Sequence, residues 1–271
     1  MLGKLFKYEM KSTARMFLLM YAAMLVVTLV NRISYAFLNR EGPSNWMLDT
    51  LVGSVMLLYI LSLAAVGILT MIFLVLRFYK NLIRAEGYLM FTLPVTPAQN
   101  LLSKLFTSVI WYFASALVML VSILLMFPIG ETMDFLRVIL KNWGVISAQF
   151  QQVSGMNIYA LLGLCLLTAL VGTVTFVLQT YAAMSVGSLV NSYKLVCSVG
   201  VYIGIYMLQQ VIMALILVGF GITLFETDLS VQQGFSLLQA TLWTQILVES
   251  VLGAGFFLAS NYILKRKLNL E

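Results

Sequence analysis

Glu249 is an acid set well inside an apolar run, TQILVESVLGAG, and it raises the first chemical question of this chain. An ionised carboxylate at the centre of a membrane helix costs about 2.5 to 3.5 kcal/mol on insertion scales, so it is expected to face a helix bundle, a partner or a watery path. Two readings are open. Glu249 is a substrate or gating contact, or it is a structural acid hydrogen-bonded to Gln179, Thr180, Gln209 or Gln210. Catalytic chemistry is poorly provided for. The chain has no histidine, no HExxH and no paired carboxylates within a span, so intramembrane hydrolysis and metal catalysis lack their residues. It also lacks GxxxxGK[ST], the loop that cradles a nucleotide's phosphates. The chain is therefore not expected to be an enzyme or to bind a cofactor, and energy from ATP would have to come through a partner. Cys165 and Cys197 lie in different apolar runs without ligand spacing and read as buried apolar side chains.

The elements that position these residues are membrane helices. Of the 271 residues 62% are hydrophobic and 10% charged, and the mean hydropathy is +1.00. Soluble domains carry about a quarter charged residues. Apolar runs of roughly 20 residues suffice to cross about 30 Å of hydrocarbon, and strand-like alternation is missing. Six spans are expected, near residues 16–37, 50–78, 105–127, 158–184, 195–224 and 242–264. The segment 1–15 places Leu2, Leu5, Phe6, Met10 and Thr13 on one helical face and Lys4, Lys7, Lys11 and Arg15 on the other. It reads as an interfacial amphipathic helix, retained in the mature chain, that feeds the first span. Residues 129–157 form a mixed segment with a weak helical period, and SVGSLVNSYK and FETDLSVQQGFSLLQA read as connections.

Basic residues assign the sides. Lys4, Lys7, Lys11, Arg15, Arg77, Lys80, Arg84, Lys104, Lys194, Lys265, Arg266 and Lys267 fall on one side, against Arg32, Arg40, Arg137 and Lys141 on the other. That bias puts both termini in the cytoplasm, and the net charge of +6 reads as topology and lipid contact, not nucleic acid. Trp46, Trp143 and Trp243 then mark the outer interface, and Arg32 and Asn31 are expected to snorkel there. The four prolines, Pro43, Pro94, Pro97 and Pro128, all fall in loops or at helix ends, which argues against the broken helices of a secondary transporter. Gly200 and Gly204 on the fifth span, and Gly253, Gly255 and Ala259 on the sixth, suggest close helix packing, within the chain or across a dimer.

One long polar segment interrupts the spans: residues 77–104, RFYKNLIRAEGYLMFTLPVTPAQNLLSK. The second helix is expected to run through Arg77, Lys80 and Arg84 to about Phe91, where Pro94 breaks it. Thr96 as N-cap, Pro97 in the first turn and Gln99 closing a capping box restart the third. Two helical stems thus meet at a tip, 86–96, bearing Tyr88, Leu89, Met90, Phe91, Leu93 and Val95. Such a tip either inserts into a protein groove or folds back on its own bundle.

The run RAEGYLMFTLPVTPAQNLLSKL resembles the cytoplasmic loop of ABC transporter permeases of the type-two exporter class, and YAAMSVGSLVNSYK more weakly resembles that family's second cytoplasmic turn. The resemblance implies an all-α integral membrane permease, residues 1–271 forming one transmembrane domain with six spans, both ends inside, and no nucleotide-binding domain. It implies that the loop 77–104 couples to a separate ABC ATPase through Arg84, Glu86, Gly87, Tyr88, Phe91, Leu93, Pro94 and Thr96, and the second turn through Asn191, Tyr193 and Lys194. ATP and Mg would sit on two ATPase copies, and a second permease, identical or different, would complete the complex. Glu249, Gln209, Gln210 and Gln179 are then candidates for translocation or gating, for a hydrophobic or amphipathic peptide, drug or lipid. The expected location is a cell membrane, multi-pass, of bacterial plasma type. A rival reading is a membrane scaffold that recruits a cytosolic partner without transport.

Overall fold

In a computed structural model of the chain, the described residues are 2–38, 46–82, 95–127, 129–190, 193–221 and 230–266. Among them are seven α-helices: α1 (Leu2–Leu38), α2 (Trp46–Leu82), α3 (Pro97–Met126), α4 (Ile129–Ser154), α5 (Ile158–Gly187), α6 (Lys194–Gly221) and α7 (Val231–Arg266). All but α4 are long and apolar enough to cross a membrane. The six expected spans are therefore present.

Three boundaries differ from the sequence reading, each for a local reason. The amphipathic N-terminal segment is not a separate element, because α1 runs unbroken from Leu2 into the first span. Its faces are as expected: Lys4, Lys7, Lys11 and Arg15 are not buried while Thr13 is. Residues 129–154 form a complete amphipathic helix. The connection before the last span is mostly helix: α7 starts at Val231, behind a capping box in which the Ser230 amide donates to Gln233 Oε1 (2.9 Å) and the Gln233 amide to Ser230 Oγ (3.4 Å).

The chain packs as two compact units, Met1–Leu76 with Phe106–Lys141, and Arg77–Leu105 with Asn142–Glu271. In the first unit buried positions recur at heptad spacing: Val52, Tyr59 and Val66 on α2, and Ser108, Ser115 and Ser122 on α3. On α1 the buried side is Phe17, Tyr21, Met24, Thr28 and Asn31. A seven-residue repeat is the spacing that left-handed helix packing uses. Trp111 stacks on Phe17 with centroids 4.4 Å apart and donates from Nε1 to Thr13 Oγ1 at 2.8 Å. Above it the Tyr21 hydroxyl meets Ser115 Oγ (2.8 Å), which meets Thr70 Oγ1 (2.9 Å). Further along, Ser122 Oγ bonds both Thr28 Oγ1 (2.7 Å) and the Tyr59 hydroxyl (3.0 Å). Asn31 does not snorkel: it is fully buried, with neither amide atom hydrogen-bonded.

In the second unit α5 packs along α6 and α7. The N-terminal half of α5 is largely exposed, so Cys165 lies on the surface, contrary to the buried reading. Its C-terminal half is buried on almost every side, including Val177, Leu178, Gln179, Thr180, Tyr181, Ala182, Ala183 and Met184. At the other end, Gly155 at φ 70° reverses the chain between α4 and α5.

Candidate functional site

Two regions of the second unit hold the residues singled out by sequence. The first is its basic end. Thr96 and Gln99 form the expected capping box: the Gln99 amide donates to Thr96 Oγ1 and the Thr96 amide to Gln99 Oε1, both at 3.3 Å. That box satisfies amides left open by the first turn of α3, so α3 starts at Pro97. Thr96 itself is exposed, while Asn100, Leu101, Ser103, Lys104 and Leu105 behind it are buried. From α2, Phe78 stacks on Tyr181 of α5, centroids 4.0 Å apart at 10°. The ends of both stems are thus part of the packed core of this unit. Arg84, Glu86, Gly87, Tyr88, Phe91, Leu93, Pro94 and Asn191 lie outside the described residues.

The turn between α5 and α6 sits at the same end. Tyr193 is 82% exposed with φ 58°, a left-handed conformation unusual outside glycine. Its carbonyl accepts from Cys197 N at 3.0 Å, and Lys194 opens α6. Gly187 makes this crossing possible, since a Cβ there would fall 2.6 Å from Ser198 N and 2.7 Å from Ser198 Cα. In the sequence Gly187 carries no signal beyond the small-residue run SVGS. Gly200 and Gly204, by contrast, have open space around them and make no close crossing within the chain.

The second region surrounds Glu249, 8% exposed on α7. With 18 residues before it in α7 and 17 after, it stands about 26 Å from either end. Its Oε1 accepts from Gln245 Nε2 at 3.0 Å, whereas Oε2 has no hydrogen-bond partner. The expected bonds to Gln179, Thr180, Gln209 or Gln210 are not made. A glutamine one turn back on the same helix reaches the carboxylate without any change of helix packing, and the i, i+4 spacing of Gln245 and Glu249 was the sequence signal for it. Thr180 donates to the Val177 carbonyl instead. Gln179 is buried with Nε2 unpaired, and Gln210 is exposed. Gln209 lines a separate groove of about 240 Å³ between α6 and α7.

The helix crossing beside Glu249 is close because of two glycines. A Cβ on Gly172 would lie 3.1 Å from Glu249 Oε2, and one on Gly253 3.1 Å from Thr175 Oγ1. Thr175 Oγ1 in turn donates to the Glu249 carbonyl at 2.9 Å. Among the small residues named on the last span, Gly253 therefore does pack closely, while Gly255 faces open space. Among the described residues no cluster of three metal-ligating side chains occurs.

Fold and site together define an all-α, multi-pass membrane protein with one buried, half-satisfied carboxylate in its last span. No protein-family model, no curated protein and no solved structure matches the chain.

Proposed function

We propose that the chain is the transmembrane subunit of an ATP-driven exporter of the ABC type-two class, coupling ATP hydrolysis by a separate ATPase subunit to export of a hydrophobic or amphipathic peptide, drug or lipid. The observation that carries this reading is the pair of helices on either side of the 83–94 segment. α2 has 37 residues and α3 has 30, so they are about 55 and 45 Å long against about 30 Å of hydrocarbon. The Thr96 and Gln99 box fixes where α3 resumes, as a stem-and-tip arrangement requires. The Phe78 and Tyr181 stack supports it further, because a push on the tip would be delivered into α5 through rigid, packed side chains. Both termini in the cytoplasm, a second permease and two ATPase copies belong to the same proposal.

The test uses the chain cross-linked and purified from its native membrane. The expected partner carries a GxxxxGK[ST] loop, and its ATPase is stimulated by amphipathic compounds. Tyr88→Ala with Phe91→Ala is expected to abolish that stimulation while leaving the chain folded. ATP hydrolysis or transport by the purified chain alone would sink the proposal. Recovery of a partner without ATPase activity would put the scaffold reading in its place.

A further inference from the structure

The exporter reading gives no task to α4 (Ile129–Ser154), the one helix here that is not a candidate span. Its residues sort into two arcs at helical spacing. Phe135, Leu136, Ile139, Leu140, Trp143 and Phe150 share one, and Asp134, Arg137, Lys141, Gln149 and Gln152 share the other. Glu131 and Asp134 offset Arg137 and Lys141, so the helix carries no net charge. Contacts at its C-terminal half fix which way the arcs face. Trp143 donates from Nε1 to the Tyr159 hydroxyl at 2.7 Å, and Phe150 meets Phe235 edge to face, centroids 5.3 Å apart at 81°. Tyr159 stands in the first turn of α5 and Phe235 in the second turn of α7. Hence α4 crosses the starts of two spans instead of running down their sides, and its apolar arc is turned toward them.

Short connections hold it in that place. Only residues 127–128 separate α4 from α3, and only 155–157 separate it from α5. Toward its N-terminus the apolar arc continues for about 15 Å beyond Trp143, and the chain leaves it uncovered: Met133 is 55% exposed, Phe135 63% and Leu140 75%. What meets those side chains follows from the direction in which they point. The arc faces the side on which the spans lie, so it is continuous with their lipid-facing surfaces, whereas a partner arriving from water would meet the polar arc. The Trp143 and Tyr159 pair fits the same level, because such amphipathic rings collect where headgroups begin. With no net charge on the helix, apolar burial is what holds it to the bilayer.

We propose that α4 is an interfacial helix whose binding partner is the bilayer surface: it lies along the membrane with Met133, Phe135 and Leu140 among the upper acyl chains and with Arg137, Gln149 and Gln152 in water. Its place is the end of α5 opposite Lys194 and the turn beside it. The helix thereby couples the starts of α5 and α7 to the headgroup layer through Trp143 and Phe150. This surface stands apart from the exporter reading and does not require it.

The experiment uses the full chain, carrying Cys165→Ser and Cys197→Ser, in nanodiscs of phosphatidylcholine without any ATPase. A nitroxide is attached at Leu140→Cys or at Gln152→Cys, and its relaxation by oxygen, which concentrates in lipid, is compared with that by a water-soluble nickel chelate. The label at 140 is expected about 5 to 10 Å into the headgroup and acyl boundary, and the label at 152 in water. Nickel reaching both labels alike would put the apolar arc in water and overturn the proposal. A label at 140 shielded from both reagents would place a second copy or another protein on the arc, and would overturn it too. Should the cysteine-free chain fail to fold, the unsubstituted chain decides: an apolar aryl diazirine dissolved in the same nanodiscs and irradiated should mark Phe135 and Leu140 but not Gln149 or Gln152. Adducts on neither arc, or equally on both, overturn the proposal. Because no ATPase takes part, a negative result leaves the exporter proposal standing, and a failed exporter proposal leaves this one intact.

Discussion

The two units face one physical problem, since lipid solvates an apolar helix about as well as another helix does, and they meet it with different side chains. In the first unit α1, α2 and α3 are joined by hydroxyls and rings. Tyr21, Ser115 and Thr70 form one junction, and Thr28, Ser122 and Tyr59 another, with Trp111 and Phe17 stacked beside them. In the second unit the close crossings are made by glycine: Gly187 against Ser198, Gly253 against Thr175 and Gly172 against Glu249. The difference is one of rigidity along the helix. Junctions at two heights fix three helices against sliding, whereas glycine contacts bring backbones together at chosen points. Both units leave grooves all the same: one of about 420 Å³ between α1 and α2 in the first, and two flanking α7 in the second.

If rings carry the first unit, the largest loss should come from Trp111→Ala. It removes a buried ring, its stack on Phe17 and its donor to Thr13 at once. Burial of this kind is worth about 3 to 5 kcal/mol on truncation. Thermal unfolding of the purified chain in detergent should show this as the most destabilised variant. A loss under about 1 kcal/mol would mean that the rings only fill space.

Glycine dependence of the second unit is tested by Gly187→Val against Gly200→Val. The first must displace the Ser198 backbone and is expected to cost about 1 to 3 kcal/mol, as overpacking does. The second adds a side chain to open space on the same helix pair and should change stability by less than about 0.5 kcal/mol. Equal losses in the same unfolding assay would remove the distinction, and would show that the open face of α6 is covered in solution.

What could be read in sequence follows the same division between local and distant causes. Helix starts are local. The Thr96, Pro97, Gln99 signature placed the start of α3 correctly, and the identical spacing of Ser230 and Gln233 starts α7. Low hydropathy around FETDLSVQQG masks that signal and makes the segment resemble a connection. The burial of Glu249 is legible from its apolar neighbours, but its partner is Gln245, one turn away on the same helix, and not a residue of another span. Distant causes were not legible. Serine and threonine in a span look alike on any face, because each can bond its own helix, as Thr70 does to the Val66 carbonyl. That Ser115 and Ser122 meet partners on both neighbouring helices depends on three helices lying side by side. For the same reason Asn31, seven residues from Met24 on the buried side of α1, looks in sequence like a snorkelling side chain.

The smallest effect is the most discriminating. Ser122→Ala breaks two hydroxyl contacts, but Thr28 keeps its bond to the Met24 carbonyl at 2.8 Å, so the lasting loss falls on Tyr59. Interhelical hydrogen bonds in membranes average about 0.6 kcal/mol and reach about 1.7, so a single variant gives a modest shift. A double-mutant cycle with Tyr59→Phe isolates the pair: the two single losses should exceed their combination by about 0.6 kcal/mol, because either change alone already removes the bond. Unfolding in detergent reads all four corners. A coupling of zero would mean that Ser122 matters to Tyr59 only as a small residue, and the first unit would then be held by close packing as the second is. A coupling of the expected size makes hydroxyl bonding, and not size, the reason that serine recurs every seven residues along α3.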